Sequence, residues 1–294
     1  MSDRTHTAPT PAIDPASDPA LRLGGIALAN GLVVVSRDNW AAAIRENDGS
    51  ISVASGKKPR AGAEALPLVR GLGRFAESLL VLGAVRKRLP GAQMPFENRR
   101  VARALAASMA GTTAVRALAP GSALIQETGA ALAAFIPAML SVRNSPVSGY
   151  HGAEHKVIGA REEALRAIGA GASSDAVAQV TGDAVAAAKE HDRCGSNLVG
   201  PFLLASVVTN VLARGRNGQR TPLRSAVAGA ASLGLALEAL RWAGKHPDSL
   251  PARLMMMPGR AIQKNLTTRE PTVEQLEVGE RALGELLRLE GVKA

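Results

Sequence analysis

Cysteine is nearly absent: Cys194 is the only one in 294 residues, so no internal disulfide can form and nothing calls for an oxidising compartment. Aromatic residues are as scarce, at 2%, which argues against a thick β-sandwich. The same scarcity leaves almost nothing for base stacking, so the +10 charge (35 Lys+Arg against 25 Asp+Glu) points to an anionic membrane surface rather than to nucleic acid. Residues 1–20 hold four prolines and no apolar run of the length a secretory signal needs; they read as a disordered tail and argue against that export route. Long charge-free runs are also few. Only 194–213 provides 20 uncharged residues in a row, enough for about 30 Å of helix at about 1.5 Å per residue.

What is plentiful is alanine, within a hydrophobic fraction of 46%, and this predicts closely packed helices. Before them, 31–35 (GLVVV), 41–45 (AAAIR) and 50–55 (SISVAS) read as strands, with Asp48-Gly49 as a hairpin turn, so 21–60 is expected to be a small β-containing element. Basic residues follow from Lys57 to Arg103 in a juxtamembrane pattern. Within the basic and apolar stretch 61–145, residues 101–118 read as an amphipathic or interfacial helix and 122–142, interrupted by Glu127, as a candidate span. In 197–245 the run 225–240, with Glu238 near its end, is another. Residues 246–294 read as a soluble tail with a helix. A mean hydropathy of only +0.06 keeps a soluble Ala-rich bundle open as the alternative, and the split of basic residues around the best span leaves orientation open.

The chemistry-bearing pattern is His151-Gly152-Ala153-Glu154-His155, an H-x-x-E-H arrangement. On a helix, positions i and i+4 share a face, so both imidazoles reach one metal ion and Glu154 stands beside them as a base toward metal-bound water. Residues 150–168 read as one helix, 169–174 as a turn, and Asp175 as the cap of a second helix ending near Glu190. The arms of this hairpin, 146–196 overall, are about 28 and about 24 Å long, so His191 and Cys194 return beside His151 and His155. Two imidazoles, a third and a thiolate are a zinc-like donor set, with Glu190 and Asp192 as neighbouring carboxylates. Four protein ligands make a closed structural site and three an open catalytic one; the residues leave that choice open. Glu238 and Arg241 read as an ordinary surface pair unless their helix reaches the hairpin, and Glu77 as part of a solvated helix face.

At these residues the chain resembles the YqhQ-like family, bacterial and plastid membrane proteins described as predicted metal-dependent enzymes. The resemblance rests on Tyr150-His151-Gly152-Ala153-Glu154-His155-Lys156, on His191-Asp192-Arg193-Cys194-Gly195-Ser196, and on Leu266-Thr267-Thr268-Arg269-Glu270-Pro271 running into Gln275-Leu276-Glu277-Val278. It implies a multi-pass helical membrane protein with a metal site and no assigned substrate. The chain departs from the pattern at Asn30-Gly31-Leu32-Val33-Val34-Val35, where the family carries an acid, two methionines and an arginine, and at Asp192 and Ser196, where it carries Pro and Thr. The expectation is thus a mainly α, multi-pass protein of the bacterial inner membrane, with anionic lipid around it and homo-oligomerisation left open. In it, His151, His155, His191 and Cys194 bind zinc or another divalent ion, and Glu154 is the catalytic group of a metal-assisted hydrolysis. The alternative is a non-catalytic membrane scaffold with a structural metal.

Overall fold

The computed structural model describes residues 23–62, 67–168, 180–191, 194–214 and 221–290. The expected β element is an antiparallel sheet in sequence order, β1 (Gly24–Ala27), β2 (Gly31–Val35), β3 (Asn39–Arg45) and β4 (Ile51–Lys57). The Asp48-Gly49 turn is where the sequence puts it: Glu46 N–H donates to the Ser50 carbonyl at 2.9 Å, and Gly49 takes φ +87°, open to glycine without a Cβ penalty. Asn30, in the block that departs from the family pattern, holds the turn between β1 and β2: its Nδ2 donates to the carbonyls of Arg45 (3.1 Å) and Gly91 (3.0 Å).

Eight α-helices follow among the described residues: α1 (Val69–Arg88), α2 (Arg99–Leu118), α3 (Ala123–Val142), α4 (Pro146–Ile168), α5 (Val199–Leu212), α6 (Pro222–Lys245), α7 (Leu250–Ile262) and α8 (Val273–Leu289). Both faces of the sheet are covered, which explains why β2 and β3 read as unbroken apolar runs instead of alternating ones. Leu32, Val34, Ala41 and Ala43 pack on α4 and α8, while Val33, Trp40, Ala42 and Ile44 pack on Val81 and Val85 of α1. The C-terminal segment, expected as a soluble tail, therefore forms part of the main core: Leu276, Leu283, Leu286 and Leu287 put one stripe of α8 onto the sheet. Together the sheet, α4, α8 and the end of α1 make a cap.

The remaining helices form a layer of neighbours in the order α2, α3, α5, α6, with α1 against α6. Helices α2 and α3 are antiparallel: Arg100 donates to the Leu140 carbonyl at one end, Gly111 lies against Ala133 midway, and Arg116 pairs with Glu127 at the other. Residues 101–118, expected at an interface, thus run the length of α3. Small side chains carry the contacts, as they do where lipid rather than water surrounds helices; Thr209 and Ser232, for example, share a 2.6 Å hydrogen bond between α5 and α6. Among the described residues three helices are long and apolar enough to cross a membrane, Ala123–Val142, Gly195–Leu212 and Pro222–Lys245. These are the stretches the sequence singled out. Glu77 is not on a solvated face; it is buried, accepts from the Ala61 N–H at 3.0 Å and pairs with Lys58 at 3.2 Å.

Candidate metal centre

Helix α4 is the buried axle of the cap, and the close approaches on it are made by glycines. A Cβ on Gly152 would lie 2.0 Å from the Arg269 carbonyl oxygen, so the chain leaving α7 crosses α4 at backbone distance. That crossing brings a π-helical turn, Gln263–Thr267, over the start of the pentapeptide. The Nδ1–H of His151 donates to the Thr267 carbonyl at 2.9 Å, and the Nδ1–H of His155 donates to the Lys189 carbonyl at 2.6 Å. Carbonyls only accept, so each ring keeps its proton on Nδ1 and a lone pair on Nε2. The Nε2 of His151 lies 3.1 Å from the Cys194 sulfur. The Nε2 of His155 is buried with no hydrogen-bond partner.

His151, His155 and Cys194 form a candidate metal-binding cluster, with their donor atoms all within 4.8 Å of one another. Burial drives the His155 imidazole down to about 3, with the neighbouring His151 adding to the effect, so His155 stays neutral. Burial pushes the Cys194 thiol up, against hydrogen bonds from Ser196, whose Oγ donates to the sulfur at 3.1 Å. Burial also raises the Glu154 carboxyl to about 8. Glu154 fits where it does because Gly25 of β1 has no side chain: a Cβ there would sit 2.5 Å from the carboxyl carbon.

His191 stands apart from the three. Its ring is 5.7 Å from that of His155, and its Nε2 meets the Glu162 carboxylate at 3.2 Å. The physical reason is that the described part of the returning arm, 180–191, is not the expected helix. Residues 180–191 are irregular, with Gly182 at φ +77° placed so that a Cβ would lie 2.1 Å from the Ala160 carbonyl. Side chains of α4 supply the partners that a helix would have supplied: Arg161 donates to the Val180 carbonyl, Lys156 to that of Val185 and His155 to that of Lys189. The expected turn at 169–174, Asp175 and Asp192 lie outside the described residues. Glu190 lines a second cavity of about 500 Å³ with His191, Arg260 and Lys264. Glu238 is bound to Arg70 of α1, with a 2.6 Å contact from Nε, instead of approaching the cluster.

Sequence reasoning missed the frame that holds the Cys194 loop. The fully buried Gln263 accepts from the His191 N–H at 2.9 Å and donates to the Asn197 side chain at 3.2 Å. Gln263 has no motif around it; the available signals were the Leu266–Pro271 block, which overlaps the end of the same turn, and the His191–Ser196 block, which Asn197 follows. Beside the cluster lies a larger cavity of about 770 Å³, lined by His151, Glu154, His191 and Cys194 at its polar part and otherwise mostly by apolar residues.

An apolar helix layer joined to a cap, with a His–His–Cys cluster in which His155 and Cys194 are buried and His151 is half-buried, defines a membrane-associated helical protein with a candidate metal site. The chain belongs to a family described as protein of unknown function (DUF1385), whose profile matches residues 131–289. It is 35% identical over 150 residues to the uncharacterized protein YqhQ of Bacillus subtilis (strain 168), an alignment covering 49% of this chain and 41% of that protein. The chain thus spans less than half the length of the curated relative it matches. No solved structure matches.

Proposed function

We propose that the protein is a metal-dependent membrane enzyme in which His151, His155 and Cys194 hold a divalent cation and Glu154 handles protons. The observation that carries this reading is the buried, partnerless Nε2 of His155 beside the Nε2 of His151 and the Cys194 sulfur. A buried nitrogen without a partner costs about 1–3 kcal/mol, and a metal bond removes that cost. Two imidazoles and a thiolate favour zinc among the common divalent ions. Bound there, zinc would supply Lewis acidity and lower the pKa of a coordinated water, the basis of metal-assisted hydrolysis.

The protein's own part is orientation. The Thr267 and Lys189 carbonyls fix both histidine tautomers, and Ser196 directs two donors at the sulfur, which favours the thiolate. Glu154 lines the same cavity as His151 and Cys194, the position from which a carboxyl would exchange a proton with a group bound there. Engagement of His191 by Glu162 favours three protein ligands over four, and three leave a position for water or substrate. This weighs against the purely structural metal of a scaffold.

A multi-pass topology is part of the proposal. The sheet precedes α2 and α3 in the chain, α4 and α8 follow them, and all three share one core, so the chain crosses an even number of times between β4 and α4. If α3 crosses, α2 crosses with it; its charge-free centre is 104–115, and Arg116 is paired with the buried Glu127. Basic residues at both ends of the layer suit the anionic lipid of a bacterial inner membrane.

The test is metal content by elemental mass spectrometry of the full-length protein in detergent. About one equivalent in the wild type, lost in His151→Ala, His155→Ala and Cys194→Ala but kept in His191→Ala and Glu154→Gln, is the expected result. Absence of metal from the wild type after supplementation overturns the reading, and loss in His191→Ala makes the site four-liganded and structural.

A further inference from the structure

We propose that the site takes an amphiphile, a molecule whose polar group sits at the His151–His155–Cys194 cluster and whose long apolar chain fills the adjoining cavity. This names the substrate class for the metal-enzyme reading above and rests on it. The cavity, about 770 Å³, is within the range of about 300–1,000 Å³ typical of small-molecule sites. Its composition is lopsided. His151, Glu154, Cys194 and Ser196 gather the polar atoms, while the rest of the wall is largely hydrocarbon.

The origin of that wall is what points to a lipid-like chain. Phe135 and Met139 come from α3, Leu198 and Phe202 from the Gly195–Leu212 stretch, and Leu233 from α6, so all three helices apolar enough to cross a membrane contribute. The polar donors come from α4 in the cap and from Cys194 and Ser196 where the chain enters the Gly195–Leu212 stretch. A ligand that fills this space therefore has one end among membrane-type helices and the other among buried metal-ligand side chains. A small polar solute leaves the hydrocarbon wall uncovered, and a purely apolar molecule leaves the polar end unsatisfied. Edge strand β1 also lines the cavity, through Gly24–Ala27, so an extended apolar peptide pairing with that edge is the competing occupant. The wall next to the strand favours the lipid: Phe75, Phe135 and Phe202 offer no repeating side-chain pockets along it, and helical faces provide no further backbone partner.

The experiment is photo-crosslinking of the full-length protein in phosphatidylcholine–phosphatidylglycerol nanodiscs with two hexadecanoic acid probes. One probe carries a diazirine at the chain terminus and the other beside the carboxyl group, and labelled positions are read by peptide mass spectrometry. The chain-terminal probe is expected to label 131–142 and 199–203, and the carboxyl-proximal probe 146–158 and 194–198, with at least fivefold loss of both on adding excess unlabelled acid. Met139→Trp and, independently, Val142→Trp, which fill the cavity, are expected to reduce the carboxyl-proximal labelling at least fivefold. Labelling confined to outward positions such as Leu204 and Leu212, or insensitive to both variants, overturns the proposal, as does competition by an apolar peptide but not by unlabelled acid. Metal content measured on the same preparations separates the two readings. A metal-loaded protein with no cavity labelling sinks the amphiphile alone, and cavity labelling without metal sinks the enzyme alone.

Discussion

Two regions of one chain solve the burial problem in opposite ways. In the cap, strands and helices more than 200 residues apart in sequence close over one another, and Leu32, Val33, Trp40, Ile44 and Leu286 have almost no exposed surface. In the helix layer, only 11–22% of the residues in the three apolar windows are buried, and large side chains such as Leu204, Leu212 and Leu223 point outward. A soluble layer of that kind would expose far more contiguous apolar surface than a monomer carries, so the difference indicates which solvent each region is built for. Water drives the cap together through large hydrophobic side chains; in lipid that force is missing, and small residues and satisfied polar pairs take over.

The contrast can be broken by substitution. Trp40→Ala in the sheet is expected to cost about 3–5 kcal/mol, read as a lower unfolding midpoint of the detergent-solubilised protein. In the layer a loss approaching that size is expected from removing a charge instead of a hydrophobe: Glu127→Ala takes away the buried carboxylate that Arg116 and Arg214 share at 3.0 and 2.7 Å, leaving them the Asn210 and Gln126 side chains, and breaking a buried pair costs up to about 3–5 kcal/mol. If Glu127→Ala is as mild as a surface change, the layer is not held as described.

The junction between the regions should respond in a different measurement. Gly152→Ala forces the Arg269 backbone away from α4 at about 1–3 kcal/mol and moves the Thr267 carbonyl off His151. Metal affinity is then expected to fall about 10–100-fold, while Gly159→Ala, at a helix position with open space around it, leaves affinity unchanged.

In metal-free protein, pH adds a smaller effect. Glu154 ionises above its ordinary 4.5 in the unfolded chain but only near 8 when folded, so its contribution is complete below 4.5 and lost as pH rises toward 8. His155 runs the other way: the unfolded ring protonates below 6.5 and the folded ring only near 3, so its contribution is complete above 6.5 and lost as pH falls toward 3. The slopes offset each other between those ordinary values and stability is expected to peak there. Above 6.5 it falls by about 2 kcal/mol by pH 8, and Glu154→Gln abolishes that fall in thermal unfolding of chelator-treated protein. The smallest change is expected from Leu204→Ala, on the outward face of α5, within about 0.5 kcal/mol.

Much of this architecture was legible in particular residues. Asp48-Gly49 marked the hairpin, the i,i+4 histidines marked a shared helix face, and apolar length marked one helix outright and two more, interrupted by Glu127 and Glu238, as candidates, because each is a local property of a few neighbours. The returning arm was misread for the same reason. Its alanines favour helix by propensity, but Arg161, Lys156 and His155 offer its carbonyls better-placed partners, and a single sequence carries no mark of that competition. Glu77 and α8 were misjudged because charge and distance from the motif suggested solvent, whereas Lys58 and the sheet buried them.

The sequence by itself determined the donor types, the helix that presents two of them, and the apolar lengths that favour a bilayer, since these depend on composition and on helical periodicity. Only the tertiary structure brought the Cys194 sulfur, rather than His191, into the candidate cluster with His151 and His155, set Thr267 and Gln263 around it, and walled the cavity beside it with three apolar helices. Those facts depend on where one irregular segment crosses a buried helix, and that crossing is set by the packing of glycines and carbonyls from distant parts of the chain.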